Sequence, residues 1–281
     1  MQGPRRRPVT SLAADWFNAS AAIIDQLEEP ELPSLLVDAL RRVIDFEYGV
    51  VFVYRDKASP VLVFDALPGP TAREALRNFV KSTYVLNPFY TAYLSGLKTG
   101  VHRMRDLAPD GFFGADPSSS SKVDPAPGEE IGFLTHGWPA GREEICIALA
   151  LAHGECAEIS LSRKPADGGF SAADLARVAV IVPFLLAAFR RHWRHAALAR
   201  IAPAPDTKAD DAFHAFGGKL LSPRERQLAR LLLRGHSTIS AGLQLDISPT
   251  TVKTHRKNLY AKLGIATHFE LFSLFLDSLQ A

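Results

Sequence analysis

The chain has little cysteine: two thiols, Cys146 and Cys156, in 281 residues. That excludes a disulfide-stapled scaffold and a zinc site of four cysteines, so both read as buried, inert side chains. Long apolar stretches are missing too. The longest apolar run without a charge, VAVIVPFLLAAF over 178–189, lies between Arg177 and Arg190 and falls well short of the roughly 20 residues that cross a bilayer. No membrane segment is expected. Arg5-Arg6-Arg7 leads into Pro8-Val9-Thr10-Ser11 with no apolar core behind it, so no secretory signal is expected and the chain reads as cytoplasmic. Residues 1–219 lack a phosphate-cradling glycine loop, a zinc-spaced cluster and an exposed-nucleophile motif, which argues against catalysis, a cofactor or a metal. His136, His153, Glu129, Glu130, Glu143 and Glu144 keep no fixed spacing and read as strand-edge and turn residues. The order of strands does not suit a phospho-receiver domain.

With 47% hydrophobic and 22% charged residues, the composition is globular and the length suits two domains. The net charge of +2 is unevenly spread: residues 220–281 carry +4 and the remainder −2. A small basic module appended to a near-neutral domain points toward nucleic acid. The boundary is read at 199–219 (ARIAPAPDTKADDAFHAFGGK), rich in Pro, Ala and Gly and without a sustained period. Residues 1–198 then form a sensing and dimerisation domain and 220–281 a second domain.

In the first domain, 46–54 and 60–67 are β-branched and aromatic around a turn at 56–59, and read as a hairpin. Further strands are expected at 131–138, 143–152 and 155–163, with helices at 32–44, 71–82 and from Ser171 onward. This is an α+β order, an antiparallel sheet covered by helices on one face. Segment 114–128, with four consecutive serines, reads as a mobile surface loop. The helix from Ser171 opens with Ser171-x-x-Asp174 and should kink at Pro183.

The second domain is punctuated by helix caps. Ser222-Pro223-Arg224-Glu225 is a capping box with proline at the first helical position, and Gly235 ends that helix. Ser237 caps a short helix ending near Leu245; Ser248-Pro249 opens a third running to Leu263, stopped by Gly264; Thr267 caps a fourth. At 100° per residue, Val252, Leu259 and Leu263 share one side of the third helix, and Thr250, Lys253, Thr254 and Lys257 the other. Two short helices across a tight turn, the second with a basic, hydroxylic face, are the geometry of a helix-turn-helix reader of double-stranded DNA. His236 and His255 read as structural.

Leu221-Ser222-Pro223-Arg224-Glu225-Arg226, Gly235-His236-Ser237, Ile247-Ser248-Pro249-x-Thr251-Val252-Lys253-x-His255 and Lys262-Leu263-Gly264-Ile265 together resemble the LuxR-type (LuxR/NarL/FixJ) helix-turn-helix domain. The resemblance implies an all-α four-helix domain whose third helix enters the major groove, with Lys253, Thr254 and Lys257 toward the bases. Thr250 shares their face on the helical wheel and joins them as a DNA-contact candidate, and Arg256, nearer the core edge on the same wheel, is expected at the rim on a phosphate. It also implies pairing through the fourth helix, where Phe269, Leu271, Phe272, Leu274, Phe275, Leu276 and Leu279 cover more than one face. Ala241-Gly242 depart from the family's usual Ile-Ala, and Gly in a helix interior costs about 0.8–1.0 kcal/mol against Ala, unless a close approach requires it.

Upstream, the order of elements resembles GAF/PAS-like sensing domains. Tyr84-Val85-Leu86-Asn87-Pro88-Phe89-Tyr90-x-x-Tyr93 is similar to the Tyr...Asp-Pro segment of the acyl-homoserine-lactone receptors, with Asn87 in place of Asp and without the family's tryptophans. Tyr84, Asn87, Phe89, Tyr90, Tyr93 and Trp138 are the candidate lining for a small-molecule effector, against core packing as the alternative. The sequence therefore reads as a cytoplasmic, homodimeric transcription regulator, without cofactor or metal. The alternatives are a lactone-type quorum-sensing receptor and an α+β enzyme with a helical tail.

Overall fold

The structure, a computed structural model, describes residues 9–111, 130–131, 134–135, 142–164, 169–198 and 206–279; the loop expected at 114–128 lies outside them. Helices α1 (Val9–Asp25) and α2 (Leu32–Leu40) lead into strands β1 (Tyr48–Tyr54) and β2 (Val61–Asp65). Then come α3 (Gly69–Lys81), a 3-10 turn (Thr83–Leu86), α4 (Pro88–Leu94), β3 (Gly100–Arg103) and α5 (Met104–Leu107). A short pair, β4 (Glu130–Ile131) and β5 (Leu134–Thr135), precedes the hairpin β6 (Glu143–Ala150) and β7 (Cys156–Arg163). Helices α6 (Ala172–Leu198), α7 (Lys208–Ala215), α8 (Pro223–Leu233), α9 (Thr238–Leu245), α10 (Pro249–Leu263) and α11 (His268–Ser278) complete the chain.

The main sheet is antiparallel in the order β2-β1-β7-β6-β3. Both of its faces are covered, where one was expected. Val51, Val53, Ile145, Ile147, Ile159 and Leu161 meet Leu36, Leu40, Val178, Leu185 and Phe189 of α2 and α6, while Val50, Phe52, Tyr54, Cys146 and Ala148 meet Phe79, Tyr84, Phe89 and Tyr90. The reason is in β1 itself, whose Val50-Val51-Phe52-Val53-Tyr54 is apolar at successive positions and so presents apolar side chains to both faces. Strand β3 went unread because four residues containing Gly100, His102 and Arg103 carry no strand signature; register with β6 makes it a strand. Helix α6 runs as one element through Pro183. Ala172–Ala196 is long and apolar enough for a bilayer by composition, yet Val178, Leu185 and Phe189 are spent on the sheet.

All four C-terminal helices start at the expected caps. The Ser222, Ser237, Ser248 and Thr267 side chains accept backbone N–H groups of α8, α9, α10 and α11, and Glu225 and Glu270 close full capping boxes. Gly264 ends α10 in the left-handed conformation, φ 70°. Lys262 donates to Glu225 at 2.7 Å and, ahead of the backbone bond from Ser222, holds that carboxyl down at about 2.

Helix α7 falls within the segment expected as linker. Eight residues are too few to show a period; Ala209 and Phe213, with Phe216 beyond the end, fix it by burial rather than by propensity.

Gly242 is explained by a close approach. A Cβ there would stand 2.8 Å from the Ile247 carbonyl oxygen, backbone that cannot move aside cheaply. Gly242→Ala is therefore expected to lower, not raise, the stability of the chain, by about 1–3 kcal/mol on the scale of overpacked cores. Denaturant unfolding of the C-terminal helices measures it, and a rise in midpoint would show the turn to be roomier than this.

Candidate functional site

The first candidate surface is α10. The Ser248 cap and Pro249 fix its start, and Val252 and Leu259 are fully buried, which pins its rotation about its own axis. Thr250, Lys253, Thr254 and Lys257 consequently stand exposed on one side. Thr254 Oγ donates back to the Thr250 carbonyl at 3.1 Å, leaving its lone pairs outward. Among the described residues no carboxylate pairs with Lys253 or Lys257. Arg256 is half-buried at the edge of this face, near Tyr260 and His268. Among the described residues none of the N-terminal domain covers this face.

The second candidate group is the aromatic segment, and the structure does bring most of it together. Tyr84, Phe89 and Tyr90 are fully buried against Tyr54, with ring centroids 5.3 Å from Tyr54 to Phe89 and 5.0 Å from Tyr84 to Tyr90. Their polar ends are already engaged. Tyr84 donates to the Lys57 carbonyl at 3.1 Å, Tyr90 to Asp210 at 2.9 Å and Tyr93 to the Gly154 carbonyl at 2.9 Å. Burial pushes the Tyr84 hydroxyl up to about 12, and burial followed by the Asp210 carboxylate raises Tyr90 further. Asn87 is the N-cap of α4, its Oδ1 accepting the Phe89 N–H at 2.7 Å, so the oxygen expected to face a ligand is occupied by the backbone. Trp138 lies outside the described residues.

A polar cluster behind those rings escaped the sequence. Tyr54 donates to Glu158 at 2.8 Å, and Ser160 donates to Glu144. Burial, together with the charge of Glu144, pushes the Glu158 carboxyl up to about 8; burial raises Glu144 to about 6. The one available signal was the alternation in β7, where Glu158, Ser160 and Ser162 share a face. Polar side chains at period two normally mark the solvated side of a strand, and here that side is inside. Glu143, by contrast, sits at a strand edge and pairs with Arg103 and Arg105, as its position suggested.

The two parts of the chain meet at α9. Asp110 accepts the Ser237 N–H at 3.0 Å and the hydroxyls of Ser237 and Ser240. Burial opposes its charge, but these bonds outweigh it and hold the carboxyl at about 2. Next to it, a Cβ on Gly111 would come within 2.7 Å of the Gly235 carbonyl oxygen. Beside this joint opens a cavity of about 460 Å³ lined by Leu86, Pro88, Thr91 and Ala92 on one side and Leu231, Arg234, His236 and Gln244 on the other.

Residues 219–275 match the family model described as bacterial regulatory proteins, luxR family. A putative HTH-type transcriptional regulator in the exeN 3′ region of Aeromonas salmonicida is 31% identical over 200 residues, covering 69% of this chain and 94% of that protein. The transcriptional regulatory protein MctR of Rhizobium johnstonii is 43% identical over 61 residues, 22% of this chain and 28% of its own length. Among solved structures, the LBD domain of VqsR from Pseudomonas aeruginosa aligns with a TM-score of 0.48 at 14% identity, over 64% of this chain and 97% of that one. Escherichia coli SdiA aligns with a TM-score of 0.38 at 16% identity, over 92% and 96%.

Asn87→Ala is expected to lower the melting point of the protein without added ligand, since loss of an N-cap costs about 1 kcal/mol. Thermal unfolding decides it: an unchanged midpoint would mean that the cap is dispensable and the side chain free for other work.

Proposed function

The chain belongs to the LuxR family of bacterial helix-turn-helix transcriptional regulators, and we propose that it acts in the cytoplasm as a homodimer that reads double-stranded DNA with α10 under the control of a small molecule. The observation that carries this is the open side of α10, where two lysines and two threonines project opposite the buried Val252 and Leu259. Lysine ammonium and threonine hydroxyl groups match base-edge acceptors in the major groove, and Arg256 at the rim suits a phosphate. No catalytic step enters this reading.

Support for the homodimer comes from α11. Leu271, Phe272 and Phe275 are buried in the domain's own core, whereas Phe269 and Leu276, seven residues apart, stay half-exposed. The α11 stripe they mark offers apolar surface to a second copy on a two-fold axis. Control by a small molecule is supported by the cavity between α4 and the C-terminal helices, of a size that holds organic ligands. An occupant there would touch both parts at once. An acyl-homoserine lactone is less favoured, because the side chain standing where those receptors carry Asp, Asn87, is committed to its cap.

Lys253→Ala and Lys257→Ala are each expected to weaken specific binding by about 1–3 kcal/mol, and Arg256→Ala to weaken all sequences alike while lowering the salt slope by about 1. Titration of genomic fragments at several salt concentrations measures both; unchanged affinity in the two lysine variants would remove α10 as the reader. On DNA with paired half-sites, Leu276→Glu should turn two-to-one complexes into weak one-to-one complexes by sedimentation, and persistent two-to-one stoichiometry would exclude the α11 stripe.

For the effector, a ligand present at 100 times its dissociation constant should stabilise the protein by about 2.7 kcal/mol, readable in a thermal-shift screen of small molecules. Ala92→Trp should abolish that shift while leaving the unliganded midpoint nearly unchanged. A shift that survives the tryptophan would place the ligand elsewhere.

A further inference from the structure

One set of interior polar groups takes no part in reading DNA or in the cavity beside α4. Glu144 and Cys146 on β6 and Glu158 on β7 share the sheet face that carries Tyr54, and one oxygen or sulfur from each lies within 4.8 Å of the other two. Carboxyls taken out of water need a cation or a full set of donors. Here the donors are the Tyr54 hydroxyl and the Cys146 thiol to Glu158, and the Ser160 hydroxyl to Glu144. Among the described residues no lysine, arginine or histidine pairs with either carboxyl. A further group waits beside them: Ser162, opposite Glu144 in the β6–β7 register and on the same face, is 1% exposed and its hydroxyl has no partner. Glu144 retains partial exposure, which provides a way in.

We propose that Glu144, Cys146 and Glu158 are the ligands of a divalent transition-metal site of the zinc class on the inner face of the N-terminal sheet, with the Ser162 hydroxyl or a water as the fourth group. Two carboxylates and one thiolate suit a borderline-soft ion; magnesium and calcium would refuse the sulfur. Bonds of about 2.0–2.3 Å let ligand atoms at this spacing close on a single ion with small side-chain rotations. Tyr54 and Ser160 then remain as donors to the outer carboxylate oxygens, the arrangement that orients metal-bound carboxylates. On binding, the thiol proton, with any proton carried by the carboxyls, passes to solvent as the metal–sulfur and metal–oxygen bonds form. A linear motif does not show this site, because Glu144-x-Cys146 meets Glu158 only through the hairpin register.

The test uses the full chain, treated with chelator, kept reduced and titrated with Co²⁺. The expected result is a thiolate-to-cobalt charge-transfer absorption that saturates at one ion per chain and is displaced by Zn²⁺. It should vanish in Cys146→Ala, persist in Cys156→Ala, and need at least tenfold more Co²⁺ in Glu158→Gln. No thiolate band in the unmodified protein, or a band that follows Cys156, overturns the site. Should Cys146→Ala fail to fold, the Glu158→Gln titration decides: a band of unchanged midpoint removes Glu158 as a ligand and the proposal with it.

Discussion

The fold depends most on one buried carboxylate. Asp210, 1% exposed, sits on the eight-residue α7 and accepts the Tyr90 hydroxyl at 2.9 Å, with the His214 ring at 3.1 Å. One turn along, Phe213 lies edge-on to Phe275 of α11 at 5.6 Å and carries the Arg234 guanidinium 4.7 Å above its ring. A helix of two turns does not persist in water on its own, and an unpartnered interior carboxylate would cost several kcal/mol. Docking of α7 therefore satisfies both requirements together or neither. The apolar cluster that begins on the inner sheet face continues through Phe213 and Phe216 into α8 and α11 without a break, so the two halves of the chain share one core across what the sequence marks as a boundary.

That arrangement bears on how a signal would reach DNA. Among the described residues none of the N-terminal domain covers the exposed side of α10, so these residues do not act by masking it. Tyr54 connects the interior carboxyls to the aromatic layer, Tyr90 connects that layer to Asp210, and Asp210 belongs to the helix between the halves. In the homodimer proposed above, a change in the sheet face would be felt first as a change in the orientation of one reader relative to the other, and half-site spacing is sensitive to that angle.

What the sequence disclosed follows how local the cause is. Each C-terminal helix begins with a hydroxyl side chain closing on a backbone N–H two or three residues away; such contacts are written in consecutive letters, and the faces of α10 follow from them. Elements formed by distant partners were invisible: β3 exists because β6 is beside it, α7 because Tyr90 and Phe275 are. The candidate ligand group shows the same division. The aromatic segment was found, but the task of each polar atom within it, Asn87 as a cap and Tyr90 as a tether, is set by residues far along the chain. Glu158 and Ser162 were hidden for a different reason: alternation says which residues share a face, and only packing says whether that face is wet.

The Gly111–Gly235 approach gives the junction between the halves a mechanical character. Backbone meets backbone there, with no side chain on either residue to bend, swing or repack as the surfaces part. Lateral slippage by even one bond length would set Gly111 against the Gly235 carbonyl and strip Asp110 from the Ser237 N–H. Such a joint tolerates little sliding, because the tight fit and the Asp110 hydrogen bonds are lost together. Under the control by a small molecule proposed above, the cost of unseating this joint would set how readily the two halves change their relative position.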